Sequence, residues 1–125
     1  MNARGCFHDL AVLRDKINRL YLGNRSKAAV TWGGPLRRRE ARFLRLGWYD
    51  HRRSLIVISR RLDAADVPAY VVEYVLFHEM LHEIIGIRTS ANGRRKIHTS
   101  TFRLLEQTFP DYARALAFER ARWGR

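Results

Sequence analysis

Tyr74-Val75-Leu76-Phe77-His78-Glu79-Met80-Leu81-His82-Glu83-Ile84-Ile85-Gly86 is a strongly apolar run into which two histidines and two glutamates are set. Its centre reads His-Glu-x-x-His. On an α-helix, positions four apart differ by about 40° in azimuth and about 6 Å along the axis, so His78 and His82 point the same way from adjacent turns and can share one ion. Glu79, about 100° further round, is poorly aimed for the ion itself but well aimed for a water bound to it, the position of a general base. If these were only core residues, two imidazoles and two carboxylates in so apolar a helix would each need a buried partner.

Two histidines do not complete a catalytic zinc site, which takes three protein ligands and leaves one position for water. Candidates for the third are His8, His51, His98, Glu106, Asp111 and Glu119. His98 stands out because the loop before it is long enough to reverse the chain and it opens the next helical segment. Glu106 is its main rival, a helix-borne glutamate being the other common solution.

The rest of the chain sets the context. Its 125 residues make one domain, 1–125, long enough to bury an ordinary core. A hydrophobic fraction of 46% argues against disorder, and no apolar run is long enough to cross a bilayer. The first 20 residues mix charge with apolar residues and lack a leader pattern, so a cytoplasmic location is expected. Cys6 is the only cysteine, which excludes an internal disulfide and a cysteine-based zinc knuckle. Beside Phe7 it reads as a packed small hydrophobe.

The net charge of +12 is uneven. Residues 62–87 hold Asp63, Asp66, Glu73, Glu79 and Glu83 and no Lys or Arg, so the remainder carries 24 basic against seven acidic residues. Such a shell favours a polyanionic partner, nucleic acid above all, because phosphate contacts release counterions. Nine arginines fall between Arg37 and Arg61 among Phe43, Trp48 and Tyr49. Arg37, Arg38, Arg39, Arg52 and Arg53 are the candidate nucleic-acid contacts, with the tryptophans read first as core.

In chain order, apolar residues from Phe7 to Leu22 recur at three- and four-residue steps, an amphipathic helix ended by Gly23-Asn24. Strands are expected at Lys27–Trp32, around Phe43–Tyr49 and at Leu55–Ile58, the last two as an antiparallel hairpin. The motif helix should run from about Val67 to Ile85, buried nearly all round, with Asp66 as N-cap and Gly86 as C-cap. Residues 88–97 read as a loop. A helix follows His98, and Thr108-Phe109-Pro110-Asp111 reads as a capping box opening a last helix. The pattern is α+β.

The run Leu55-Ile56-Val57-Ile58-Ser59, Leu76-Phe77-His78-Glu79-Met80-Leu81-His82 and His98-Thr99-Ser100-Thr101-Phe102 resembles the SprT-like metalloprotease domain, the group that includes the Spartan protease. It is also similar to small bacterial metallopeptidases in which Phe follows the third histidine by four residues. Ile17–Gly23, Val30-Thr31-Trp32 and Leu46-Gly47-Trp48-Tyr49 extend the resemblance over most of the chain. It implies a zincin-like minimal domain with an N-terminal helix, a small three-stranded, mainly antiparallel sheet, a buried motif helix and C-terminal helices. It further implies one catalytic zinc on His78, His82 and His98, Glu79 as general base, and polypeptide substrates.

Two departures stand out. The cysteine-ligated zinc ribbon of many members is absent, and Glu83 stands where alanine is frequent; a surface charge is the favoured reading of Glu83, a carboxylate orienting a ligand the other. The expectation is a monomeric zinc endopeptidase, in which DNA-bound proteins are a natural substrate. The alternatives are a nucleic-acid-binding module whose metal site is structural, closed by a residue such as Glu106, and a metal-dependent hydrolase of another bond, with a deep enclosed pocket. Tyr70, Arg103 and Tyr112 are the sequence's only suggestions for oxyanion stabilisation.

Overall fold

The computed structural model describes residues 2–35, 45–86, 88–89, 95–96 and 99–124, with 88–89 and 95–96 as backbone alone. The first helix, α1 (Leu10–Tyr21), starts where Asp9 Oδ1 accepts from the N–H groups of Ala11 (3.0 Å) and Val12 (3.3 Å). It begins three residues later than its periodicity suggests, which leaves Phe7 outside it and exposed. Leu10 and Ile17 form its buried stripe. Gly23 and Asn24, both at positive φ, end it. Asn18 then exchanges two hydrogen bonds with the backbone of Ser26, pinning the returning chain against α1.

Three strands make the main sheet: β1 (Ala29–Trp32), β2 (Gly47–Asp50) and β3 (Leu55–Ile58), in the order β1-β3-β2. The hairpin expected from sequence is present, with Gly47 opposite Ile58 and Asp50 opposite Leu55. Asp50 Oδ1 accepts from the N–H groups of Arg52 and Arg53 to shape its turn. The sheet is mixed, not mainly antiparallel, because β1 pairs parallel to β3. Burial accounts for the strand order. All four β3 residues are buried, so β3 takes the centre; β2 claims one side through the hairpin and leaves β1 the other.

The two outer edges of this sheet differ. At β1, Trp32 N–H donates to the Asn2 carbonyl (2.8 Å) and Asn2 N–H donates to Thr31 Oγ1 (2.7 Å), so the N-terminal segment closes that edge. At β2, Ser59 N–H donates to the Leu46 carbonyl, which fixes the inward-facing residues as Leu46, Trp48 and Asp50. The N–H and C=O groups of Gly47 and Tyr49 therefore face outward, and among the described residues no strand pairs with them.

The motif helix, α2 (Ala69–Ile85), packs against α1, β2 and β3 and against two later helices, α3 (Ser100–Glu106) and α4 (Tyr112–Trp123). Ten of its 17 residues are buried, in keeping with the apolar run. Burying one such Leu, Val or Phe side chain contributes about 1.5–3 kcal/mol. Pro68, not Asp66, is the N-cap residue; Asp66 forms an ion pair with Arg122 instead (2.7 Å). Gly86 ends the helix at φ 78°.

Residues 88–97, read as loop, contain a short antiparallel pair, β4 (Arg88–Thr89) and β5 (Arg95–Lys96). Its polar sequence carries no alternating pattern to announce it. Thr99 caps α3, its Oγ1 accepting from Phe102 N–H. The capping box expected before α4 does not form: Thr108 Oγ1 donates back to the Leu105 carbonyl (2.6 Å), and Asp111 pairs with Arg114. Among the described residues no helix is long and apolar enough to cross a membrane.

The acidic stretch 62–87 is mostly used to hold the N-terminal third. Asp63 accepts from the N–H groups of Cys6 (2.7 Å), Phe7 (2.9 Å) and His8 (3.1 Å). Cys6 is thereby exposed, not packed as its neighbourhood in sequence suggested. Glu73, buried, pairs with Lys16 (2.9 Å). Glu83 accepts from Ser26 Oγ (2.5 Å) and from the N–H groups of Lys27 (2.7 Å) and Ala28 (2.9 Å). It is thus neither a surface charge nor a ligand's partner but the anchor of the chain entering β1.

Candidate metal centre

Helical spacing brings the Nε2 atoms of His78 and His82 to 3.2 Å from one another. Two nitrogens bound to one tetrahedral zinc at about 2.1 Å stand about 3.4 Å apart, so the pair fits such an ion with little movement. Each ring is held by a different device. His78 Nδ1 lies 2.9 Å from Glu106 Oε1, which makes Nδ1 the protonated nitrogen and leaves the Nε2 lone pair turned toward His82. The His82 ring stacks on Phe102, with centroids 4.5 Å apart and planes 29° apart, and Phe102 meets the His78 ring edge-on at 5.0 Å. Phe102 is fully buried, so both imidazoles rest on a fixed wall. This is a physical reason for a phenylalanine in that position of the sequence.

Glu106 is itself held. The Tyr74 hydroxyl, one helical turn before His78, donates to the same Oε1 that faces His78 Nδ1. Burial, and then the hydrogen bond to Glu106, pushes the Tyr74 phenol far above its ordinary range, so it remains a donor at any physiological pH. Tyr74 is boxed in by Phe109 and Tyr112, with ring centroids 5.9 and 5.7 Å away. The sequence offered Glu106 as a rival ligand; its described contact is on the far nitrogen of His78, where a carboxylate orients the ring. Tyr74 was not singled out from sequence, although an i, i+4 relation to His78 was there to be read.

Above the histidines opens a cleft of about 550 Å³. Its described lining comes from β2 and the residues before it (Arg45–Tyr49), from α2 (Tyr74, Val75, His78, Glu79, His82), from Glu106 and from α4 (Leu116, Glu119, Arg120). Glu79 is buried and belongs to this lining, as its azimuth on the helix requires. Gly47 sets the distance between β2 and α2. A Cβ there would lie 3.1 Å from Val75 Cγ1 and 3.1 Å from Ile58 Cδ1, so any side chain would lever the strand away from the helix.

Of the other candidate ligands, Glu119 does reach the cleft and is buried there. His8 donates through Nε2 to the Val67 carbonyl, His51 is exposed in the hairpin turn, and Asp111 pairs with Arg114; none of the three joins the site. His98 lies outside the described residues, as do Arg37, Arg38 and Arg39. Among the described residues alone, no group of three His, Cys, Asp or Glu side chains is arranged to hold a metal ion. Arg52 and Arg53 are exposed in the β2–β3 turn. Tyr70, Tyr112 and Arg103 are absent from the described cleft lining; Tyr70 lies under the Arg114 guanidinium.

The chain matches no protein-family model, no curated protein and no solved structure.

Proposed function

We propose that this protein is a zinc-dependent endopeptidase. The observation that carries the reading is the paired Nε2 atoms of His78 and His82, 3.2 Å apart at the floor of a cleft that Glu79 also lines. His98 is proposed as the third ligand, on the strength of the resemblance and of its position just before α3, whose Phe102 packs on His82. Zinc, when bound, supplies Lewis acidity that makes a water nucleophilic near neutral pH and polarises the scissile carbonyl. Glu79 would serve as the general base, accepting a proton from the attacking water and passing it to the leaving amine. Glu106 and Tyr74 keep the His78 tautomer suited to ligation, and Phe102 keeps both rings in place. The outward N–H and C=O groups of Gly47 and Tyr49 hold an extended polypeptide by strand addition along β2.

The purified protein, loaded with zinc, is expected to cleave a disordered protein such as casein, to lose that activity to a chelator, and to lose it in Glu79→Gln while retaining zinc. Full activity of Glu79→Gln removes the reading. Nucleic acid is proposed as a partner on charge alone, Arg52 and Arg53 being exposed and outside any ion pair among the described residues. A salt titration against single- and double-stranded DNA tests that partner, and no affinity at low ionic strength would exclude it.

A further inference from the structure

Helix α4 carries three arginines, and the fold treats one of them differently. Arg114 is paired with Asp111 (3.0 Å) and lies over the Tyr70 ring, and Arg122 is paired with Asp66 (2.7 Å). Arg120 forms no ion pair among the described residues and lines the cleft. Across the α2 floor, the β2 wall presents a second such group. Arg45 is exposed, has no carboxylate partner among the described residues, and its guanidinium sits 5.2 Å from the centre of the Trp48 ring, which limits the directions it can take. One arginine, exposed and outside any ion pair among the described residues, therefore stands on each wall of the cleft that holds His78, Glu79 and His82.

We infer that Arg45 and Arg120 select substrates carrying a carboxylate close to the bond that is cut. This deepens the endopeptidase reading and rests on it for the cleavage step, though not for binding. Guanidinium matches carboxylate in a two-bond fork, and such charge-assisted bonds gain strength in a partly desolvated cleft. The Glu79, Glu106 and Glu119 carboxylates of the same cleft do not consume these arginines: Glu106 faces Tyr74 and His78, and neither arginine forms an ion pair with any described carboxylate. A polypeptide laid along β2 passes the Arg45 wall, and its side chains directed across the cleft meet Arg120 on the other. The carboxylate can come from an Asp or Glu side chain or from the chain end.

The test uses full-length zinc-loaded protein and unstructured peptides that differ only in having Glu, Gln or Lys on either side of the cut bond, each with free and amidated C-termini. Cleavage of the Glu peptide is expected to exceed that of the Gln peptide about tenfold or more in kcat/KM, the yield of one charge-assisted bond. That ratio should fall to within about twofold in Arg45→Gln and Arg120→Gln, and stay unchanged in Arg19→Gln, which removes an equal charge from the exposed surface of α1. A preference that follows the free C-terminus instead assigns the arginines to the chain end. Equal cleavage of Glu and Gln peptides with no difference between free and amidated C-termini, or an equal loss in Arg19→Gln, overturns the inference.

Binding of the same peptides, labelled, to zinc-loaded Glu79→Gln separates the two proposals. Arginine-dependent preference for Glu without hydrolysis by the unaltered protein sinks the peptidase reading and keeps the carboxylate site. A single-stranded oligonucleotide that binds with the same dependence on Arg45 and Arg120, while Glu and Gln peptides bind alike, gives the cleft to polyanions and overturns it.

Discussion

On the side of α2 that faces α1 and the entry to β1, Glu73 and Glu83 are bound to Lys16, Ser26 and the backbone of residues 27 and 28. On the side that faces the cleft, Glu79 lies with two histidines whose rings are steered from outside the helix, by Glu106 and Phe102. The same residue type, within ten positions of one helix, anchors the fold on one side and is aimed at chemistry on the other. What separates them is the kind of partner each meets. Glu83 meets N–H groups that the chain must satisfy in order to enter the sheet, whereas Glu79 lines the cleft beside the two histidines.

Substitutions should therefore divide by side, and the sharpest division comes from the middle of the helix. Glu79→Gln is expected to lower the rate of casein cleavage by about 1,000-fold, within the usual range for a general base, with zinc content and urea midpoint unchanged. Glu83→Ala should do the reverse, lowering unfolding free energy by about 3 kcal/mol because it strands the Ala28 N–H and the Ser26 hydroxyl, both on buried residues, with the zinc affinity of the folded protein retained. Urea unfolding beside chelator competition reads both quantities, and a Glu83→Ala protein of normal stability would break the division.

A smaller effect is expected where the cleft side is supported from outside. Tyr74→Phe and Glu106→Gln should each weaken zinc binding about 10- to 100-fold, the range seen when a carboxylate behind a ligating histidine is disturbed. Loss of all binding in Glu106→Gln would instead make Glu106 a ligand. Gly47→Ala should lower stability by about 1–3 kcal/mol through overpacking against Val75, and reduce kcat/KM as β2 moves off the helix.

The smallest effect is a pH dependence at the anchoring end. Burial works to raise the Asp63 pKa, but the N–H groups of Phe7, Cys6 and His8 together hold it below the ordinary carboxylate value of 3.8. A carboxylate whose pKa is lower folded than unfolded contributes stability above about pH 4 and loses it as pH falls through the folded value. Asp63→Asn should flatten that acid limb, measured as melting temperature against pH from 7 to 2.

The motif helix, the hairpin and the fit of His78 to His82 were legible because each depends on neighbours close in sequence. The parallel partner of β3 was not, since local pattern marks β1 as a strand but cannot say which side of β3 it takes. Asp66 read as an N-cap because its competitor, Arg122, lies 56 residues away. Thr108 read as a cap because nothing local shows that its hydroxyl turns back to Leu105. Glu106 was legible as a functional residue but not in its role, which depends on Tyr74 and His78 meeting it across 32 and 28 residues.

The anchors on the far side of α2 also bear on how the chain folds. Asp63, Glu73 and Glu83 are spaced ten residues apart, and they meet Cys6 to His8, Lys16, and Ser26 to Ala28 at sequence separations that stay between 55 and 57. Residues 6–28 are thus laid alongside residues 63–83 in one constant register. The entropy of closing a loop of more than fifty residues is met once, at whichever contact forms first; each later contact closes only about ten more. A nascent chain should accordingly dock its first helix and its motif helix in one zipper-like step, once the ribosome has released the second of the pair.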